Sequence, residues 1–334
     1  MKPCSAVLTV TGLILLFTAC ARDSQIVEAQ GGGPSGGQGG AEWGDGLTDQ
    51  QSDDPFERGL GAVGTPEAFD LMTWNLKEFP LKGAKTKQKV AEVLSVVQPD
   101  IVAVQEVADG HALVELAKSM PGWEADVTSF YEPGGYYNPP VGMLWNSATV
   151  TVRDRQVLME EDTVAFPRPP LLLEITWKGI DLVVISVHPK ALGDNKIDYN
   201  DPLDEEMRRL QACNRLEEYI STNYPNDMVV VAGDFNDRIE EPTTTNVFTA
   251  FLSKPDKYLF ADMPIAQRKE SVPSYPSYNS HIDHILITWK LFPSYEDPES
   301  FTRTIAVDKY FMNSLSEYYK NVSDHRPVMM HLVF

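Results

Sequence analysis

From Phe69 to the C-terminus, apolar runs short enough to be strands alternate with stripes spaced for helices. Phe69 to Asn75 is predicted as a strand. Thr86 to Val97 carries Val90, Val93, Leu94 and Val97 on one helical face, and Pro99 stops that helix before a buried strand at Ile101 to Gln105. Leu113, Leu116 and Met120 mark a second amphipathic helix, and Asp204 to Ile220 is the longest. Further strands are predicted at Val141 to Trp145, Leu171 to Trp177, Ile180 to Val187, Met228 to Ala232, Ile282 to Thr288 and Pro327 to Phe334. Several of these runs are apolar on both faces, as strands covered on both sides are, so sheets with helices outside them are the expected outcome.

The pattern is different before residue 67. Lys2, a mostly apolar run from Val7 to Phe17, and the small residues Thr18 and Ala19 ahead of Cys20 read as an export signal, too short to span a bilayer as a mature helix. Leu16-Phe17-Thr18-Ala19-Cys20 resembles a bacterial lipobox, in which the Cys is acylated and becomes the new N-terminus. Phe17 stands where Leu is usual, and plain secretion is the alternative. Ala21, rather than Asp, after the Cys favours the outer membrane in a cell that has one. Gly31-Gly32-Gly33-Pro34-Ser35-Gly36-Gly37 and scattered acids then offer hardly any apolar residue for a core. Such a tether of about 40 residues has an end-to-end distance on the order of 35 Å. The expected organisation is a signal peptide over 1–19, a lipid-anchored flexible linker over 20–66 and a folded domain over 67–334, placed at the outer membrane or cell surface.

Composition limits the functional classes. The 334 residues, 43% of them hydrophobic, are enough for a full core. A formal charge of -20 repels a phosphate backbone at long range, so nothing global marks a nucleic-acid binder, and an anionic substrate has to be met by a local basic patch. Lys77, Lys82, Lys85, Lys87 and Lys89 form one basic run, readable either as a guide for an anion or as a solvated loop and helix start. The cysteines at 4, 20 and 213 leave no disulfide framework, and Cys213 falls in a helical stripe with Met207, Leu210, Leu216 and Ile220, where core packing is expected.

Short polar clusters sit at the ends of the apolar strands, where chains turn into surface loops that carry chemistry. They are Trp74-Asn75, Gln105-Glu106, His188-Pro189-Lys190, Gly233-Asp234-Phe235-Asn236-Asp237 and Ser323-Asp324-His325-Arg326-Pro327, with Ser280-His281-Ile282-Asp283-His284 at a strand's start. Each alone is commonplace. In this order they resemble the endonuclease/exonuclease/phosphatase superfamily, over essentially the whole of Phe69 to Phe334. That family includes pancreatic deoxyribonuclease, apurinic endonucleases, inositol polyphosphate phosphatases and bacterial sphingomyelinases. The resemblance implies a four-layer α/β/β/α sandwich, two mixed β-sheets face to face with helices on the outer faces. It also implies hydrolysis of a phosphate ester by in-line attack of water.

That reaction needs a hard cation on the phosphoryl oxygens, a base for water and donors for the developing charge. Glu106, with Asn75 beside it, is expected to hold Mg²⁺, with Mn²⁺ and Ca²⁺ as alternatives. By resemblance His325 is the general base and Asp283 its orienting carboxylate, leaving Asp324 near the metal. Asp234 then positions or deprotonates the attacking water, Asn236 donates to the phosphate, and His188 stabilises charge on the non-bridging oxygens. Pro189 stands where many relatives carry Leu, while Lys190 keeps a cation nearby as a substrate contact. Arg168, in Phe166-Pro167-Arg168-Pro169-Pro170, precedes a strand as a phosphate-contacting Arg does in the deoxyribonuclease branch, or is a surface Arg. Asp237 and Arg238 read as loop residues. His281 and His284 flank Asp283, but a closed zinc site needs three or four convergent ligands, usually including Cys, and no such set is legible.

The expected substrate is a nucleic acid, from the deoxyribonuclease-like spelling of the motifs and from export, and a monomer is expected. A lipid or sugar phosphodiester is the alternative within the family, and a non-catalytic surface binding module is the rival from another class. Tyr136 and Tyr137, in the loop Tyr131 to Pro140, suit a base or a membrane equally.

Overall fold

Two parallel strand pairs, each joined by a crossover helix, organise the fold. The computed structural model describes residues 55–334 except 57, 62, 130–137 and 268–271. The expected signal, Cys20, the Gly-rich run and the aromatic pair Tyr136 and Tyr137 lie outside the described residues. No helix among the described residues is long and apolar enough to cross a membrane.

Strand β1 (Phe69–Asn75) and β2 (Ile101–Gln105) run parallel, and helix α1 (Ala84–Val97) connects them, since parallel neighbours need such a crossover. Helix α1 ends at Gln98 in the left-handed conformation, with Pro99 next. Helix α2 (Gly110–Ser119), β3 (Trp123–Val127) and β4 (Gly142–Asn146) follow. The second half carries β5 (Val150–Val157), β6 (Leu171–Trp177), β7 (Ile180–Val187), helix α3 (Glu205–Asn223) and β8 (Val229–Asp234). There β7 and β8 are the parallel pair and α3 the crossover. Asp204 caps α3 by accepting from the Met207 N–H at 2.8 Å, and Glu205 and Glu206 complement the positive end of its dipole. Strands β9 (Tyr258–Phe260), β10 (Asp283–Thr288), β11 (Phe301–Thr304) and β12 (Val328–Leu332) complete the sheets, ordered β11-β12-β1-β2-β4-β3 and β5-β6-β7-β8-β10-β9.

The inner faces of the two sheets share one core: Phe69, Leu71, Ile101, Ala103, Val328 and Met330 meet Leu173, Val184, Val230, Ala232, Ile285 and Ile287. Outside the first sheet, α1 and α2 pack Val90, Leu94, Leu113 and Leu116 on Met72, Trp74, Val102 and Val104. Outside the second, α3 packs Leu210, Cys213, Leu216 and Ile220 on Val183, Ile185 and Val231. The four layers are therefore those expected, and Cys213 is a core residue whose thiol is pushed up by burial.

The folded unit begins earlier than the expected boundary at residue 67. Leu60 and Val63 are buried in the core with α1, and Arg58 donates to the Met312 carbonyl at 2.8 Å. Two isolated apolar residues in a Gly-rich stretch left no periodic signal.

Candidate active site

Side chains alternate across a strand with period two, so one face of a strand can change from apolar to polar as it leaves the core. Five strands do this at the same end of the sandwich. On inner faces, Phe69, Leu71 and Thr73 lead to Asn75; Ile101 and Ala103 lead to Gln105; Leu182, Val184 and Ser186 lead to His188; Val230 and Ala232 lead to Asp234; and Ile287 and Ile285 lead to Asp283. The parallel pairs deliver their C-terminal ends here while antiparallel β10 and β12 deliver their starts. The expected residues from separate strands therefore converge on a groove of about 640 Å³ lined by Lys77, Glu106, Asp234, Asn236, Asp324 and His325 among others.

Asp234 is the hub. Its Oδ2 accepts from Asn75 Nδ2 at 2.8 Å and lies 3.6 Å from His188 Nε2 and 3.7 Å from His325 Nε2. The same Asn75 amide donates to Glu106 Oε1 at 3.1 Å, while its Oδ1 accepts from the Lys77 N–H at 2.9 Å. Asn75 thus bridges two carboxylates, and its oxygen serves the backbone. Asn236 closes an Asx turn onto Asp234, its N–H 2.9 Å from Oδ1.

His325 is fixed on every side. Its Nδ1 faces Asp283 Oδ2 at 2.8 Å, its N–H donates to Ser323 Oγ at 2.9 Å, and its carbonyl accepts from Trp74 Nε1 at 3.3 Å and from the Tyr318 hydroxyl. Ser323 Oγ in turn donates to the Asn75 carbonyl at 2.6 Å, tying the terminal motif to β1. Ser274 Oγ accepts the Ile282 and Asp283 N–H groups, at 3.1 Å each, and so holds Asp283 in place. Burial opposes a charge on His325, but Asp283, Asp234 and Asp324 outweigh it and raise the imidazole to about 10. Burial also raises Asp234 to about 6, against the pull of His325. His188 goes the other way, held well below the ordinary value by burial, Arg168 and His325, and is neutral.

Backbone strain concentrates here. Lys77, Glu78, Glu106, Leu192, Asn195 and Asn236 line the groove with φ between 43° and 73°, a left-handed conformation that costs a non-glycine residue about 1–2 kcal/mol.

Other expected residues land less centrally. Lys190 turns its ammonium to the Ala191 carbonyl at 2.7 Å and toward Glu205 at 3.7 Å, and Arg168 donates to the Pro189 carbonyl at 3.3 Å behind His188. The basic run divides: Lys87 and Lys89 pair with Glu115 and Glu92 on the helices, and Lys77 reaches Asp324, Nζ to Oδ2 2.6 Å. Asp237 lies in the loop after β8, as expected, and is buried there. Arg209 of α3 reaches it at 2.8 Å, and also binds Glu206 at 3.2 Å and the Lys190 and Leu192 carbonyls at 2.9 and 2.6 Å. This guanidinium clamps the His188 loop to the Asn236 loop. A charged residue on a helix facing a strand end carried no sequence signal of that role.

His281 and His284 do converge, on Asp262. His281 Nδ1 accepts from the Ser274 N–H at 3.3 Å, leaving Nε2–H for Asp262 Oδ2 at 3.0 Å. His284 faces acceptors on both nitrogens, Asp262 Oδ2 at 2.6 Å and the Asp237 carbonyl at 2.8 Å, so it is an imidazolium. These bonds describe a buried ion pair that braces the start of β10.

A family model described as the Endonuclease/Exonuclease/phosphatase family matches residues 72–325. No curated protein sequence matches. Among solved structures, TDP2 of D. rerio complexed with single strand DNA product is 14% identical with TM-score 0.54, covering 79% of this chain and 98% of that one. The human Nocturnin catalytic domain with bound sulfate is 16% identical with TM-score 0.54, covering 81% and 96%. An endonuclease/exonuclease/phosphatase from Bacteroides vulgatus is 14% identical with TM-score 0.54, covering 79% and 98%. With the family model spanning both ends of the groove, the chain belongs to the endonuclease/exonuclease/phosphatase family of phosphoester hydrolases.

Proposed function

We propose that this chain is an exported, lipid-anchored, metal-dependent phosphodiesterase that cleaves nucleic acid. The observation that carries the reading is Asp234, a buried carboxylate within 4 Å of two imidazoles and backed by the Asp283–His325 pair. Asp234, raised toward neutral pH, accepts the proton of the attacking water, the role in which a base works best near the operating pH. The water oxygen bonds to phosphorus as the opposite ester bond breaks. The resemblance makes His325 the base, yet Asp283, Asp234 and Asp324 hold it as an imidazolium. It therefore balances charge on Asp234 and on the phosphoryl oxygens. His188 and the Asn236 amide add neutral donors.

The donor set suits a hard divalent cation. Glu106 has each carboxylate oxygen oriented by a single donor, Asn75 Nδ2 and the Glu78 N–H at 3.3 Å, which leaves lone pairs for a ligand in the groove. When bound there, the cation supplies positive charge to a phosphoryl oxygen. Nucleic acid as substrate is supported by the motif spelling and by the D. rerio structure with its DNA product. Hydrolysis of single-stranded DNA, plasmid, RNA and sphingomyelin, each with Mg²⁺ and with EDTA, tests the reading. EDTA-sensitive cleavage of nucleic acid supports it, and cleavage of sphingomyelin alone overturns the substrate.

A further inference from the structure

We infer that the hairpin Tyr275–Ser280 is a stacking platform for one unpaired nucleobase of a single-stranded nucleic acid, an assignment that rests on the nucleic-acid reading above. The Tyr275 ring lies on His325 with centroids 4.6 Å apart and planes 24° from parallel, and Tyr278 continues the stack at 5.3 Å and 22°. Three near-parallel rings thus lead from the catalytic histidine to solvent, where Tyr278 is 77% exposed. Both tyrosines line the groove.

The platform is built rather than incidental. Tyr275 and Ser280 exchange both backbone hydrogen bonds, at 2.8 and 3.1 Å, around a 3₁₀ turn over Pro276–Tyr278. Asn279 takes the left-handed conformation that closes it, φ 50°, with its N–H on the Pro276 carbonyl at 3.1 Å. An isolated exposed ring is ordinary on a protein surface. Tyr278, held on a tight turn and stacked on Tyr275, which itself lies on His325, offers a flat face at a fixed place at the rim of the groove.

The occupant follows from that face. A nucleobase stacks on an aromatic ring whatever its sequence, and only an unpaired or terminal base has a free face, because a duplex covers both. An acyl chain would need a contiguous apolar patch, whereas this groove presents Lys77, Glu78, Glu106, Arg238 and Asp324.

The test is equilibrium binding of a fluorescein-labelled oligothymidylate to the full chain in EDTA, read by anisotropy so that no turnover is needed. Tyr278→Ala is expected to weaken binding about 5- to 100-fold, the usual effect of removing one base-stacking ring. Tyr278→Trp should restore it, and an abasic strand of equal length should bind wild type and Tyr278→Ala alike. Unchanged oligonucleotide binding by Tyr278→Ala, an equal loss on the abasic strand, or a loss confined to phosphatidylcholine vesicles would each overturn the assignment. Hydrolysis of the same oligonucleotide with Mg²⁺ is measured separately. Base-dependent binding without hydrolysis would sink the nuclease reading and keep the platform, whereas hydrolysis with unchanged Tyr278→Ala binding would sink the platform alone.

Discussion

Replacing Asp283 by Asn removes one charge from the site and almost nothing else. The backbone N–H of residue 283 stays on Ser274 Oγ, and an amide fills the same volume on a strand end that is fully buried. His325 loses the partner 2.8 Å from Nδ1, the largest of the attractions that lift its pKa from 6.5 to about 10 against the cost of burial. That rise corresponds to roughly 5 kcal/mol in favour of the charged ring. Without that attraction, burial draws the imidazole back toward its ordinary range. Because the folded value is raised, the cation is present below it and lost as pH rises through it. The alkaline limb of kcat/KM should therefore move to lower pH in Asp283→Asn, and the acid limb, set by Asp234, should move to lower pH as well, because the Asp283 charge is one of the causes that raise Asp234 to about 6. At neutral pH kcat is expected to fall about 10²- to 10⁴-fold, the range for a misplaced proton-transfer or charge-stabilising group. Steady-state hydrolysis of an oligonucleotide with Mg²⁺ from pH 5 to 10 reads both effects, with a thermal melt to show that the fold survives. A rate loss with an unmoved alkaline limb, or near wild-type activity, would show that Asp283 does not set the charge of His325.

Three further outcomes follow from the geometry. Asn236→Ala should lower kcat by about 10²-fold with KM nearly unchanged, as loss of a donor to the developing charge does; a KM effect alone would assign Asn236 to ground-state binding. Arg209→Met leaves the Glu206 and Asp237 carboxylates buried without their cation and should cost about 3–5 kcal/mol of stability, seen as a lower Tm, with guanidinium in solution partly restoring activity; an unchanged Tm would remove the clamp from the account. The buried Asp262–His284 pair has a depressed carboxylate, whose stabilisation is lost as pH falls below 3.8, and a raised imidazole, whose stabilisation is complete below 6.5 and lost as pH rises above it. The Tm gap between wild type and Asp262→Asn should thus be widest between about pH 4 and 6.5, and a gap that grows on either side would contradict the pairing.

The strands that were legible are the covered ones. β1, β2, β6 and β7 appear as apolar runs with the expected limits because each is paired on both edges and packed on both faces. The four strands that gave no such run, β3, β5, β9 and β11, are the four sheet edges. An edge strand faces solvent along one side, so Trp-Glu-Ala-Asp-Val, Val-Thr-Val-Arg-Asp-Arg-Gln-Val and Phe-Thr-Arg-Thr keep polar residues that hide them, and Tyr-Leu-Phe is too short to register. The polar strand ends were visible because chemistry demands particular residue types there. Arg209, Ser274 and Tyr275 were not, since what they do depends on which loops meet in space. Asp262, which turns two histidines into a buried ion pair, lies 19 residues from His281 with no pattern linking them.

Metal-dependent phosphoester hydrolysis in the Asp234 and His325 groove, as proposed above, makes turnover depend on both the cation and the imidazole. Its most direct test is the rate of oligonucleotide hydrolysis by the full chain as Mg²⁺ is titrated, for wild type and His325→Ala side by side. Saturable, EDTA-reversible turnover is expected of wild type and none of a folded His325→Ala; turnover that ignores EDTA, or survives in the variant, would rule out metal-dependent hydrolysis at this groove.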